Sequence, residues 1–341
     1  MKKRLRIIVL LHEDLVPPES VEGLSDKEVE VFKTEFDVTA TLRELGHEVH
    51  PLGVSSDLGV IHRAMEEIRP HIAFNLLEEF GGMGVYDAHV VSYLEMIRLH
   101  YTGCNPRGLM LAHNKALSKM ICRYHRIHVP AFHVFAMGRK GRRPGRLPFP
   151  LIVKSLTEEG SVGISQASIV HDDEELAKRV EFVHRHVGTD AIAEQFVEGR
   201  ELYVGVMGNE RLQTMPIWEL QFKNLREDAP RIATGRIKAD ASYRQAVGIE
   251  TDRADLPLAM QTKISHLCKR IYRALSLSGY ARMDLRLTEE GQVYLLEANP
   301  NPQLSYGEDF AESAETAGVG YDQLLQRIIA LGLQYRLRGQ A

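Results

Sequence analysis

Cysteine is scarce in this chain. The three that occur, Cys104, Cys122 and Cys268, are odd in number and show no Cys-x-x-Cys spacing, which excludes a disulfide framework and a thiolate zinc site and leaves them as small core residues. An excess of positive charge is also missing: Lys plus Arg number 42 against 46 Asp plus Glu, a formal charge of −4. Nothing therefore drives non-specific binding to a phosphate backbone, and no nucleic-acid partner is expected. No apolar run approaches the roughly 20 residues of a membrane helix. The first one, Ile7-Ile8-Val9-Leu10-Leu11, follows a basic start as in a signal peptide, but it leads straight into His12-Glu13-Asp14 without a small-residue cleavage site. It reads as a buried strand, and the chain as a cytoplasmic protein with no membrane partner. The single tryptophan, Trp218, lies in the apolar run Met215-Pro216-Ile217-Trp218 and reads as strand core rather than a stacking platform.

What is present is a composition of 44% hydrophobic and 26% charged residues over 341 positions, that of a globular protein with room for two or three domains. Over residues 1–104 short apolar runs (6–11, 48–52, 72–77) alternate with helical patterns (26–45, 57–69, 88–99). With Gly46 and Pro70 as punctuation, this predicts an α/β fold whose first domain is three-layered and built of βαβ units. Residues 105–190 predict a small α+β domain: a helix over 109–124, a break at Val129-Pro130, a strand over 150–154 and a helix over 172–186. The basic Gly/Pro-rich segment 138–148 within it reads as a solvated hairpin loop, and His184 and His186, two apart on a helix, as solvated side chains. Residues 191–341 predict a further α+β unit. Strands 191–197 and 201–207 read as a tight hairpin through Glu198-Gly199-Arg200, and the polar stretch 221–245 as a functional lid or a disordered segment. A helix with the stripe Ile264, Leu267, Cys268, Ile271, Leu275 follows, then a hairpin 280–287/292–298 turning at Glu290-Gly291, then a closing helix 321–335.

The most informative constellation is Arg282-x-Asp284 on one strand of that hairpin and Glu297-x-Asn299 on the other. Side chains two apart on a strand share a face, so the hairpin can bring Asp284 alongside Glu297 and Asn299. Two carboxylates and an amide are hard ligands of the kind that hold Mg²⁺ when phosphates complete its octahedron. A second feature is the apolar strand ending in Lys154, followed by a loop with Gly160, Ser161 and Gly163. It supplies a point charge and backbone N–H donors for phosphate, although Gly-x-x-x-x-Gly-Lys-Ser/Thr is absent. Gly81-Gly82-Met83-Gly84 lacks the third glycine of a dinucleotide fingerprint and reads as a turn.

Taken in order, Asn114-Lys115 with Lys119, the Lys154 strand and its Gly/Ser loop, the segment from Glu194 to Glu201, and the Arg282/Asp284/Glu297/Asn299 set make the chain resemble ATP-grasp enzymes close to D-alanine–D-alanine ligase, over nearly its whole length. The resemblance implies a pre-ATP-grasp domain followed by two ATP-grasp subdomains with ATP held between them. Lys115 and Lys154 would bind phosphates, with Lys238 in the long polar loop as a third phosphate ligand at the reacting centre. Glu194, Gln195, Phe196 and Val197 would frame adenine, largely through backbone groups, and Glu201 would take the ribose hydroxyls. Asp284, Glu297 and Asn299 would carry Mg²⁺ or Mn²⁺, and Arg282 would face the reacting carboxyl group. The implied activity is an ADP-forming ligase that joins a small-molecule carboxylate to an amine through an acyl phosphate, with the polar loop as a lid. Relatives often form homodimers through the first domain.

The family's substrate motifs are not reproduced. Where it places an acidic motif near the N-terminus, this chain has Glu13 as the nearest candidate. Its His-Gly and Gly-Glu-Asp-Gly pair is replaced by a stretch containing Glu78 and Glu79, and its acceptor-binding serine by Gly307-Glu308-Asp309. Acidic groups repel an acceptor carboxylate, so the expected substrate is not simply D-alanine and carries a cationic or amino group toward Glu13, Glu78, Glu79, Glu308 or Asp309. An ordinary D-alanine–D-alanine ligase and a nucleotide-binding pseudoenzyme are the alternatives.

Overall fold

The computed structural model describes residues 4–139, 141–158, 164–222 and 248–336. Strands β1 (Arg6–His12), β2 (Glu48–Val54) and β3 (Ile72–Asn75) form a parallel sheet in the order β2-β1-β3. Ile7 through Leu11 are completely buried, because a parallel strand between two helical layers is covered on both faces. Ile7, Val9 and Leu11 pack with Val38 and Leu42 of α2 (Lys33–Glu44) and with Leu324 and Ile328 of α10 (Tyr321–Gln334). Ile8 and Leu10 pack with Ile61 of α3 (Gly59–Glu67) and Val91 of α4 (Asp87–Met96). The layering is as expected, with the closing helix of the chain supplying part of one layer. The helix predicted over 26–45 is two: α1 (Asp26–Val31), opened by a Ser25/Glu28 capping box, and α2, separated at Phe32, whose φ of −124° leaves the helical region. Gly81 and Gly82 make a turn with positive φ between Phe80 and Met83.

The helix predicted over 109–124 is also two, α5 (Pro106–His113) and α6 (Lys115–Tyr124). Asn114 between them adopts an extended conformation and its side chain accepts from the Leu117 N–H at 2.9 Å, an N-cap that starts a new helix on a new axis. Beyond α6 lies an antiparallel sheet of β4 (Phe132–Phe135), β5 (Leu151–Ser155), β6 (Ile169–Val170) and β7 (Ala191–Gln195), ordered β4-β7-β5-β6. Leu151, Val153, Ala191 and Ala193 face α7 (Asp173–Phe182) through Leu176. The alternate residues Ile152, Lys154, Ile192 and Glu194 therefore face the other way, toward α6. In the basic segment Arg139, Arg142 and Arg146 are exposed, as a solvated loop requires. Arg143 is anchored by Asp173 at 2.9 Å and by stacking 4.3 Å from the Phe149 ring centre. His184 is a correction: it is half-buried, with Nε2 2.9 Å from the Phe135 carbonyl.

The third sheet is antiparallel, β10-β9-β8-β11-β12, from β8 (Arg200–Met207), β9 (Gln213–Phe222), β10 (Ile249–Arg253), β11 (Tyr280–Leu287) and β12 (Val293–Pro300). The hairpin expected between residues 191–197 and 201–207 does not form. β7 pairs with β4 and β5, β8 with β9 and β11, and Glu198-Gly199 carries the chain from one sheet to the next. Gly199 makes the crossing at φ +139°, where a Cβ would lie 2.2 Å from the Leu287 carbonyl oxygen, so tertiary contact overrides the local turn signal. The β11–β12 hairpin forms as read. Leu202, Val204, Ala281, Met283, Leu285 and Ala298 pack against Ile264, Cys268 and Ile271 of α8 (Leu258–Ala274). All three cysteines are buried thiols, and Trp218 is buried strand core beside Tyr203 and Leu220. A helix α9 (Asp309–Thr316) follows β12 and sets Phe310 against Gly205.

Candidate active site

Strict alternation along β11 sends Ala281, Met283, Leu285 and Leu287 into the core and leaves Arg282, Asp284 and Arg286 on the opposite face. The register sets Asp284 across from Glu297 and Arg282 across from Asn299 on one side, and Asp284 across from Tyr203 and Arg286 across from Glu201 on the other. The β12 register shifts beside this group: Asp284 pairs with Glu297 but Leu285 with Leu295, so Leu296 is an extra residue. Such a bulge frees backbone groups from the ladder, and the Leu296 carbonyl accepts from Lys119 Nζ.

Arg282 holds Asp284 with two bonds, Nε to Oδ1 at 2.8 Å and Nη2 to Oδ2 at 3.1 Å. Asn299 Nδ2 donates to Asp284 Oδ2 at 2.9 Å. The Arg282 guanidinium lies 4.8 Å from the Tyr203 ring centre, and its Nη1 is 3.7 Å from Asp309 Oδ2. Burial would discharge Arg282, but Asp284 outweighs it and its pKa is raised. Glu201 is buried, with Tyr203 Oη donating to Oε1 at 2.9 Å and Arg286 Nη2 to Oε2 at 2.8 Å. Arg286 Nη1 also donates to the Gly199 carbonyl at 3.1 Å, tying the crossing between sheets to β11.

Facing this set, α6 and the four-stranded sheet contribute three lysines. Lys115 Nζ is 2.9 Å from Glu297 Oε1 and donates to the Glu158 carbonyl at 2.7 Å. Lys119 Nζ is 3.2 Å from Glu194 Oε1, and Lys154 Nζ is 3.3 Å from Glu194 Oε2. Burial pushes the Glu194 carboxyl up, but Lys119 and Lys154 outweigh it and hold the pKa below the usual value. Glu297 is likewise raised by burial and lowered more strongly by Lys115 and Lys154, to about 2. Both are carboxylates at neutral pH.

The donor chemistry fits a hard divalent cation. Among the described residues no three His, Cys, Asp or Glu side chains cluster as a metal cage, and Asp284, Glu297 and Asn299 offer only oxygens suited to the task. A site of one or two carboxylates that leaves the remaining positions to water and phosphate is what Mg²⁺ favours. Arg282 balances Asp284 at 2.8 Å and Lys115 balances Glu297 at 2.9 Å.

A protein-family profile described as "D-ala D-ala ligase C-terminus" matches residues 126–330. A D-alanine–D-alanine ligase from Syntrophotalea carbinolica is 31% identical over 310 residues, covering 90% of this chain and 93% of that one. This chain belongs to the D-alanine–D-alanine ligase family. An uncharacterized protein, y4sG, from Sinorhizobium fredii is also 31% identical, covering 86% of this chain and 85% of its own. In fold, the chain is similar to the crystal structure of a D-alanine–D-alanine ligase from Bacillus anthracis complexed with ATP, with a TM-score of 0.75 at 24% identity, covering 97% of this chain and 98% of that chain. As a member of the D-alanine–D-alanine ligase family it is an ADP-forming ATP-grasp enzyme that makes a C–N bond, an ATP-dependent carboxylate–amine ligase.

Within this ligase the structure brings Lys115, Lys154, Glu194, Arg282, Asp284, Glu297, Asn299 and Asp309 together. Gln195, Phe196 and Val197 follow Glu194 at the edge of the site, with the Phe196 ring centre 6.0 Å from the Arg286 guanidinium. Ser161 and Lys238 lie outside the described residues, as does the polar stretch beyond Phe222 up to Gln245. Glu13 is exposed in a short turn after β1 and packs beside Gly53, and Glu79 stands 3.5 Å from His12 Nε2. Glu78 is exposed, and its charge raises the Tyr280 pKa together with the larger effect of burial. Glu308 is the N-cap residue of α9. Sequence reasoning gave no role to Arg286, Tyr203 or Asn301. The first two were readable from period-two phase with Arg282 and Glu201. Asn301, held by a bond from the Cys104 N–H to its Oδ1 at 2.8 Å, carries no local signal.

Proposed function

We propose that this ligase activates a small carboxylic acid with ATP and joins it to an amine whose recognised end is cationic or neutral rather than a carboxylate. The observation that carries the substrate reading is Asp309 beside Arg282 at 3.7 Å. Arg282 is thereby offset by Asp284 and Asp309 together, and a second carboxylate arriving beside it meets like charge. Glu308, Glu78, Glu79 and Glu13 are further candidates for an ammonium group on the substrate.

In this reading Lys115 and Lys154 take the phosphates of ATP, joined by Lys238, with Ser161 in the loop after Lys154. Glu194 to Val197 frame adenine, and Glu201 takes the ribose. Asp284, Glu297 and Asn299 hold Mg²⁺ or Mn²⁺, which when bound neutralises phosphate charge. A carboxylate is a poor electrophile, so its oxygen first takes the γ-phosphoryl group, releasing ADP. The lysines contribute by positioning and charge neutralisation. The amine nitrogen then attacks the acyl carbon while Arg282 faces the developing oxyanion. The C–O bond to phosphate breaks, and the amine proton passes to solvent. The proposal extends to three working units, residues 1–104, 105–190 and 191–341, to a homodimer through the first, and to a cytoplasmic setting where ATP is available. Among the described residues no helix is long and apolar enough to cross a membrane.

Phosphate or ADP release with Mg-ATP, measured over D- and L-amino acids, dipeptides, polyamines and other amines with mass spectrometry of products, tests this. Turnover with an acid and a carboxylate-free amine is expected. Saturable turnover with D-alanine alone to D-alanyl-D-alanine, with none on amine-rich acceptors, would instead make the chain an ordinary D-alanine–D-alanine ligase. That second reading is favoured by its similarity to the Syntrophotalea enzyme.

A further inference from the structure

Three lysines face two carboxylates where the two antiparallel sheets meet, and the three are not equivalent. Lys115 pairs with Glu297, which keeps 23% side-chain exposure, and Lys154 keeps 12% exposure beside Glu194. Lys119 is 1% exposed, as is Glu194. Its Nζ donates to the Leu296 carbonyl that the β12 bulge releases and stands 3.2 Å from Glu194 Oε1, an ion-pair contact to an oxygen that has no aligned hydrogen-bond donor. Lys119 sits one helical turn after Lys115, on the same face of α6, and is more deeply buried than Lys115, which is 5% exposed, or Lys154.

Glu194 in consequence has two cations beside it, Lys154 at 12% exposure and Lys119 at 1%. If Lys154 turns toward a phosphate, Glu194 loses that partner, and a buried carboxylate with none is strongly disfavoured. We propose that Lys119 is a positioning residue, the permanent counter-ion of Glu194, and that by balancing this carboxylate it frees Lys154 to bind the polyphosphate. The inference rests on the nucleotide-site reading above. Without Lys119, Glu194 would draw Lys154 to itself, and binding of phosphate would have to break the one ion pair left to this buried charge among the described residues. With Lys119 in place, Lys154 exchanges one anionic partner for another, and the pocket retains its charge balance.

The test is binding of ATP and of adenosine to the full chain, read as the ratio of the two affinities. Lys119→Met is expected to lower the ratio by about 10- to 100-fold, because adenosine does not need Lys154. Lys119→Arg, which keeps the charge, should hold the ratio closer to that of the unaltered chain. Adding Glu194→Gln to Lys119→Met should restore the ratio to within about threefold, since no carboxylate then competes for Lys154. An equal fall for both ligands, or no restoration by Glu194→Gln, overturns the counter-ion role while leaving the nucleotide site standing. If the unaltered chain binds no ATP, the nucleotide reading fails and this inference with it. Should Lys119→Met not fold, the comparison moves to the Glu194→Gln background, where removing Lys119 is expected to leave the ratio unchanged and a tenfold loss refutes the proposal.

Discussion

Replacing Asp309 by asparagine isolates the charge that sets this site against an acceptor carboxylate. The amide is nearly isosteric, and Arg282 keeps its two bonds to Asp284, so the local frame persists. As the first residue of α9, Asp309 loses a dipole contact of about 0.3–1 kcal/mol. The loss of its 3.7 Å contact with Arg282 is offset in part by relief of desolvation, leaving a stability change of about 1–2 kcal/mol. The effect on substrate is of similar size. A carboxylate drawn to Arg282 would come within about 6 Å of Asp309, where like charges repel by roughly 3 kcal/mol at an effective dielectric near 20. Residual solvent at these partly buried side chains reduces that to about 1–2 kcal/mol, or five- to thirty-fold in affinity. The assay is ADP release with D-alanine as the sole amino acid, giving KM and kcat for the unaltered chain and for Asp309→Asn, with Asp309→Glu as the charge-preserving control. The KM for D-alanine should fall by about five- to thirty-fold in Asp309→Asn only. An unchanged or higher KM in a variant of normal melting temperature would refute the electrostatic argument.

Two further outcomes follow from the geometry. Gly199→Ala forces a side chain into φ +139° with its Cβ 2.2 Å from the Leu287 carbonyl oxygen, so it should destabilise the protein by about 2–4 kcal/mol, seen as a lower urea midpoint at unchanged m-value. A change under about 0.5 kcal/mol would contradict the tight crossing. In the absence of metal, stability should fall in acid: Glu297 is depressed from 4.5 to about 2, so the unfolded chain binds its proton first. The contribution, roughly 3 kcal/mol, is complete above about pH 5 and is lost as the pH drops through 4.5 toward 2. Urea midpoints at pH 7, 5, 4 and 3 check this, and Glu297→Gln should flatten the profile over that range.

Much of this fold is legible where period and burial agree. The unbroken run from Ile7 to Leu11 reads as a strand covered on both faces, and it is. The alternation of β11 fixes which of its residues face the site, and the Glu290-Gly291 turn fixes its partner. Legibility fails where long-range packing overrides a local signal. Glu198-Gly199-Arg200 looks like a hairpin turn because a glycine between two apolar strands cannot reveal that the strands belong to different sheets. The break at Asn114 was hidden by apolar spacing that continues across it, although an asparagine before Lys115 is a cap signal in its own right. The ion pairs of the site that join different elements are beyond sequence reasoning, although Arg282 and Asp284, two apart on one strand, are not. Lys119 and Glu194 are far apart in the chain, and only the packing of α6 against both sheets makes them neighbours.

That position of α6 determines where the chain tolerates a change of length. Lys115 touches Glu158 of one sheet's loop and Glu297 of the other sheet, and Lys119 touches Glu194 of the first and Leu296 of the second. An α-helix turns about 100° per residue, so one residue inserted between Asn114 and Lys119 swings one or both ammonium groups away from their partners and unfastens both sheets at once. The basic segment around the exposed Arg142 and Arg146 is held through Arg143 to Asp173 and Phe149, within one subdomain and not between two sheets. Tags, fused domains or new chain ends belong there, while α6 acts as a fixed gauge whose pitch the rest of the enzyme is cut to match.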